Sequence, residues 1–210
     1  MTTKQLILIS VDIEATGLSK FKDTTVEIGL DILLVDVTAD TVTMCNRLEP
    51  FNGYACGRDN VCMSAVAARI TGLSAEFVSK QQPVGRLLTD CVNHVDRVCE
   101  PFPEVERCLI HYNGFQYDVP MLVADCESAE GVGAVSLFRR LKLEKTVDVL
   151  VLAKAHMDRT TLKRNVSGHC SYKLGDVYMD VMGKSLEGAH GALADAKAVS
   201  DIVLQCSKLN

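Results

Sequence analysis

Asp12 and Glu14 stand one residue apart in Ser10-Val11-Asp12-Ile13-Glu14-Ala15-Thr16-Gly17-Leu18. The run before them, residues 6–9, is continuously apolar and reads as a strand buried on both faces. Residues two apart on a strand project from the same face, so the two carboxylates lie side by side where the neighbouring sequence expects burial. Buried like charges repel and lose hydration. Either one of them takes a proton or a cation sits between them. A hard divalent ion with oxygen ligands suits such a pair.

Three more residues could join the pair. Asp118 follows Asn113-Gly114-Phe115-Gln116-Tyr117 at a strand-to-helix connection, on the sheet edge where α/β folds usually bind ligands. Read alone, Asp118 is a cap for the helix that begins at Val119, with Pro120 in its first turn. Asp195 lies four, seven and eleven residues before Val199, Ile202 and Cys206, on the apolar stripe of the last helix. A carboxylate on that side needs a partner, and a salt bridge or hydrogen bond would serve as well as a metal. His190 lies in the glycine-flanked loop leading into that helix, and imidazole exchanges protons near neutral pH. Four carboxylates at one sheet end would hold two divalent cations. Two ions about 3.5–4 Å apart clamp the attacking and leaving oxygens of a phosphoryl displacement. With a histidine to take a proton from water, the set hydrolyses phosphodiesters without a nucleophilic side chain.

The elements that must position these residues follow from hydrophobic periodicity. Strands are expected over residues 6–14, 25–37 and 41–48 with short links, an antiparallel meander. Residues 51–60 read as a loop, 64–69 as a short helix broken at Thr71-Gly72-Leu73, and Ser74 as a further helix start. Residues 83–98 carry a helical stripe. A strand at 108–111, a helix at 119–126, a strand at 146–152, a mobile basic loop at 156–168, a helix at 172–181 and a closing helix at 192–207 complete the order. This is one α/β domain over residues 1–210 with a mixed sheet.

Composition narrows the function. Hydrophobic residues make up 48% of the 210, enough for a full core. The 22 basic and 27 acidic residues give a net charge of −5, which argues against coating long stretches of nucleic acid and leaves room only for a small or metal-mediated contact. Tryptophan is absent and aromatics are few, so a platform of several stacked bases is not expected. Nine cysteines, an odd count without a Cys-x-x-Cys pair, read as reduced thiols in an intracellular protein, cytoplasmic or nuclear and not secreted. His169-Cys170 and Cys91-x-x-His94 each lack the second half of a zinc site. No signal peptide and no apolar run near the length of a membrane span are seen.

With these residues in place, the chain resembles the DEDDh, or DnaQ-like, 3′→5′ exonucleases. The motifs are Asp12-Ile13-Glu14-Ala15-Thr16-Gly17-Leu18, Asn113 through Asp118, and His190-Gly191-Ala192-Leu193-Ala194-Asp195-Ala196, in order over nearly the whole chain. Within that group it is most similar to the three-prime repair (TREX-like) exonucleases. Ile70-Thr71-Gly72-Leu73-Ser74, Asn113-Gly114 with Tyr117-Asp118 and Pro120, and Ser171-Tyr172-Lys173-Leu174-Gly175 carry that likeness. Tyr112 stands where a histidine usually precedes the asparagine.

The resemblance implies a ribonuclease H-like fold with a five-stranded sheet of order 3-2-1-4-5, and two Mg²⁺ or Mn²⁺ ions. It also implies release of 5′-mononucleotides from a 3′ end. Asp12 would touch both metals, Glu14 and Asp195 would complete the catalytic one, Asp118 would hold the second through water, and His190 would be the general base. Backbone groups of Ala15, Thr16, Gly17 and Leu18 would hold the terminal nucleotide, together with Asn113 and Tyr117. Ile70 and Leu73 would pack against the end bases, or serve as ordinary core. Arg159, Lys163 and Arg164 would meet phosphates, or line a solvated loop. A homodimer is implied by the TREX-like resemblance alone. Single-stranded DNA ends are the expected substrate. Trimming of RNA 3′ ends at the same site is the nearest rival, and a silent module binding nucleic-acid ends or a protein is the rival from another class.

Overall fold

The computed structural model of the protein describes residues 2–19, 21–58, 61–128 and 143–206. Its centre is the pairing of β1 (Lys4–Ala15) with β2 (Thr25–Val37), antiparallel from Lys4 against Val37 to Ala15 against Thr25. The other edge of β2 takes two short strands in turn. β3 (Val42–Arg47) lies along Leu33–Val37, and β4 (Phe51–Cys56) lies along Glu27–Leu30. A two-residue strand, β5 (Gln82–Pro83), extends β4. On the far edge of β1, β6 (Glu106–His111) pairs in parallel, and β7 (Leu143–Asp148) pairs in parallel with β6. If β3 and β4 are taken as one interrupted track, the main strands stand in the expected order 3-2-1-4-5, with β5 added outside β4.

Two expected elements are corrected. Residues 51–60 were expected as a loop, but β4 runs through Cys56, because Phe51–Tyr54 complete the edge of β2 that β3 leaves uncovered. The strand expected at 146–152 ends at Asp148, and α5 (Val149–His156) takes over. Asp148 caps this helix by accepting the Leu150 N–H at 3.0 Å. A short apolar run does not distinguish a buried strand from a buried helix.

The remaining helices are α1 (Ala65–Thr71), α2 (Ala75–Ser79), α3 (Val84–Cys99), α4 (Asp118–Ser128), α6 (Leu174–Met182) and α7 (Ala192–Cys206). The pleat divides β1 between two cores. Ile7, Ile9, Val11, Ile13 and Ala15 pack with Leu87, Leu88 and Val95 of α3 and Met121 of α4. Leu8 packs on the opposite face with Val149, Val177, Val199 and Ile202, from α5, α6 and α7. Ser10, Asp12 and Glu14 share the Leu8 face. The residues opposite them on β2 are Asp31, Gly29 and Glu27. The sheet is therefore covered on both sides, with a polar seam at one end of the α7 side. Among the described residues, no helix is long and apolar enough to cross a membrane.

Candidate active site

The parallel pairing of β1 with β6 ends at Ser10 and Ile110, while its pairing with β2 continues to Ala15. Asp12 and Glu14 thus run past β6, at the carboxyl edge shared by β1, β6 and β7, where open α/β sheets bind ligands. α7 brings Asp195 to them. Its first turn rests directly on the β2 backbone at Gly29, the residue opposite Asp12. A Cβ there would lie 2.2 Å from the Ala192 carbonyl carbon and the Leu193 nitrogen, so only glycine permits the approach. The result is a group in which oxygens of Asp12, Glu14 and Asp195 all lie within 4.8 Å of one another.

Asp118 reaches the same edge from α4 and is 5% exposed. The backbone N–H groups of Asp118 itself and of Ile13 favour its ionised form. Its charge acts on Asp12 and Glu14, and it stands beside the group of three rather than within it. His190 is exposed and has a left-handed backbone, φ 66°. Its N–H donates to Asp195 Oδ2 at 3.2 Å. Asp195 Oδ1 is buried without a hydrogen-bond partner.

The carboxylates are strongly perturbed. Burial raises Asp12 well above the usual carboxylate range, and the charges of Asp118, Asp195, Glu14 and Glu27 push it the same way. Glu14 is raised to about 8 by burial, with Asp195, Glu27 and Asp118 adding to it. Asp118 is raised to about 6, mainly by burial, against the lowering effect of its backbone hydrogen bonds. Asp195 is raised by burial, and the hydrogen bond and charge of His190 oppose this. These side chains repel one another, and among the described residues the charge of His190 offsets this at Asp195 alone. The hard oxygen donors, their mutual closeness and the orphaned Asp195 Oδ1 together fit a divalent cation.

Glu27 was missed in the sequence. It is 3% exposed, faces Glu14 across the β1–β2 ladder, and raises Asp12, Glu14 and Asp195. The signal was present: Thr25, Glu27, Gly29 and Asp31 alternate with Val26, Ile28, Leu30 and Ile32, so β2 carries one apolar face and one small or polar face.

The other expected site residues are distributed more widely. Ala15 and Thr16 are buried, and Leu18 is 85% exposed. Thr16 spends its backbone inside the protein: its N–H donates to the Thr24 carbonyl, and its carbonyl accepts the Ser64 N–H. The Gly17 carbonyl accepts the Tyr117 hydroxyl. Asn113 has φ 61°, and its N–H donates to Asp148 Oδ1 at 2.9 Å. Ile70 is 48% exposed, whereas Leu73 packs partly buried against a small third core that contains Val26 and Val78. Arg159, Lys163 and Arg164 are exposed, and their segment is not a loose loop. Leu162 is buried within it, Lys163 pairs with Asp176 at 2.8 Å, and Arg164 donates to the Gly168 carbonyl. Tyr112 donates its hydroxyl to the Tyr172 carbonyl at 2.7 Å. All nine cysteines are free thiols.

A mixed sheet covered by helices on both faces, with carboxylates at its carboxyl edge, is the ribonuclease H-like exonuclease fold. The chain is similar to E. coli exonuclease I in complex with a dT13 oligonucleotide, with a TM-score of 0.71 and 15% identity over 98% of this chain. It is also similar to the zinc-bound E. coli complex with single-stranded DNA, with a TM-score of 0.71 and 13% identity over 100% of this chain. For exonuclease I in its apo form the TM-score is 0.68, with 14% identity over 97% of this chain. The chain spans about two-fifths of the length of these solved proteins: 42%, 41% and 42%. No family model matches the sequence, and no curated protein does.

Proposed function

We propose that this chain is a metal-dependent 3′→5′ exonuclease that releases 5′-mononucleotides from DNA 3′ ends, with single strands preferred. The observation that carries the reading is the convergence of Asp12, Glu14 and Asp195, with Asp118 docked beside them and His190 one hydrogen bond from Asp195. It is supported by a fold shared with exonuclease I, whose solved structures hold single-stranded oligonucleotides and, in one case, zinc. In this reading residues 1–210 form one exonuclease domain, TREX-like within the DEDDh group, that works inside the cell and pairs as a homodimer.

Asp12, Glu14 and Asp195 would hold one Mg²⁺ or Mn²⁺, and Asp12 with Asp118 would hold a second. Two such ions, when bound, lower the cost of forming hydroxide and of stabilising the leaving oxygen. The chain's own residues do the rest. The exposed imidazole of His190 takes the proton of the attacking water. The turn at residues 15–18, with Asn113 and Tyr117, seats the terminal nucleotide. Ile70 and Leu73 meet its base, and Arg159, Lys163 and Arg164 meet the phosphates beyond it.

The test is a product ladder on DNA and RNA strands labelled at the 3′ or the 5′ end, with and without Mg²⁺. The expected result is Mg²⁺-dependent release of mononucleotides from the 3′ end, faster on DNA, and loss of about 10³-fold or more in kcat for Asp12→Ala and His190→Ala. Equal or faster loss of RNA would move the assignment to RNA trimming. Binding of 3′ ends without any mononucleotide product would leave a silent binding module.

A further inference from the structure

The turn that follows the candidate catalytic strand is held from behind by a chain of buried polar groups. Asp23 accepts the Thr16 hydroxyl at 3.0 Å and the Ser19 N–H at 2.8 Å. The Thr24 N–H donates to Thr16 Oγ1 at 3.1 Å, which closes the turn on itself. Behind it stands Asp125 of α4, 0% exposed. One of its oxygens accepts the Thr24 hydroxyl at 2.9 Å and the other the Thr25 N–H at 2.8 Å. Arg58, just beyond β4, completes the arrangement. Its Nε lies 3.6 Å from Asp125 Oδ1, while Nη1 donates to the Ala124 carbonyl at 2.9 Å and Nη2 to the Asp23 carbonyl at 3.0 Å.

One guanidinium therefore ties α4 to the turn, and α4 is also the helix whose first residue is Asp118. An ion pair this deeply buried gives little net stability compared with apolar side chains of the same volume, but it fixes geometry in a way apolar packing does not. Asp118 belongs to the sequence motifs, whereas Asp125, two turns further along the same helix, lies outside them.

We propose that Arg58 and Asp125 are positioning residues. They fix the 16–24 turn, and with it the seat of the terminal nucleotide, at a set distance from Asp118 and the metal centre. The proposal rests on the exonuclease reading above. Neither residue touches the reacting atoms. Their loss moves the seat relative to the metals, and a displacement of about 1 Å is enough to cost orders of magnitude in a positioned reaction.

The experiment compares Arg58→Met, Arg58→Lys and Asp125→Asn with the parent on two substrates. One is a 3′-labelled oligothymidylate. The other is bis(p-nitrophenyl) phosphate, a diester with no nucleoside to seat. Expected is a rise of about tenfold or more in the oligothymidylate KM for Arg58→Met and Asp125→Asn, and a smaller rise for Arg58→Lys. Turnover of the small diester should stay within about twofold. Leu87→Ala, a truncation in the core of α3, controls for lost stability and should leave KM unchanged. An unchanged oligothymidylate KM, a parallel fall on both substrates, or an equal KM rise in Leu87→Ala would overturn the proposal. If the parent cleaves neither substrate, the exonuclease reading is what has failed, and amide exchange then decides the clamp. Arg58→Met should speed exchange at Ser19 and Thr25 while α3 stays protected, and unchanged exchange at those two amides would refute it.

Discussion

Glu14 shows at the scale of one residue what the site lacks when empty of cations. Its carboxyl is raised from 4.5 to about 8, so the folded chain keeps a proton that the unfolded chain releases. Stability falls wherever the folded state binds more protons than the unfolded state as pH rises. For the metal-free protein it should therefore decline from about pH 4.5 to about pH 8, with Asp12 and Asp195, both raised, acting in the same direction. Asp118 adds to the lower part of that window, up to about 6. At about 1.4 kcal/mol per unit, these two shifts set an upper bound on the order of 10 kcal/mol. Stabilisation by Mg²⁺ should run the other way and grow with pH, because ligands must lose protons to bind metal. Thermal melts across this range, with chelator or with Mg²⁺, check both trends, and a flat metal-free profile would contradict them. Glu14→Gln should raise metal-free stability at neutral pH by about 1–3 kcal/mol, since folding no longer has to protonate the carboxyl or bury it as an anion. The same melts should show its response to Mg²⁺ abolished.

At the scale of elements, the site depends on α7 lying against β2 without a side chain between them. Gly29→Ala places a methyl group where the backbone of Ala192 and Leu193 now lies. It should cost about 1–3 kcal/mol by overpacking. Because Asp195 follows in the first turn of the displaced helix, metal activation should weaken more than the melting temperature alone would suggest. A Mg²⁺ titration of activity beside a melting curve separates the two effects. The α1 cap offers a contrast. Ser64 Oγ accepts the Ala67 N–H at 3.1 Å, so Ser64→Ala should cost about 1 kcal/mol in a denaturant melt.

At the scale of the whole molecule, a net charge of −5 leaves little attraction for polyanions away from the site. Oligonucleotide binding should therefore weaken only gently with salt, with a log–log slope matching about two or three phosphate contacts rather than six to ten. A titration over a range of salt concentrations measures it. The sheet should also differ in local stability. β1 and most of β2 are buried, whereas β3 is a largely exposed edge. Amide exchange should be fastest in β3 and slowest in β1 and β2.

Much of this was legible in the chain because the relevant spacings are local. A pleat of period two puts Asp12 beside Glu14, and a helical period puts Asp195 on the face of Val199 and Ile202. Both hold before any tertiary contact forms. The succession of elements along the chain followed from the pattern of apolar runs and the sheet order from the family resemblance, whereas the boundary at Asp148 followed from neither, since a buried helix and a buried strand look alike over so few residues. Distances between elements are different in kind. That α7 closes on β2 over Gly29, that Asp118 stands beside the three closer carboxylates, and that Glu27 joins them from the facing strand all depend on register and packing. The tie from Arg58 to Asp125 spans segments far apart in the chain, and only the folded backbone brings them together. The sequence by itself determined which side chains could do the chemistry. The tertiary structure decided how close they stand, because that distance is set by the backbones packed between them.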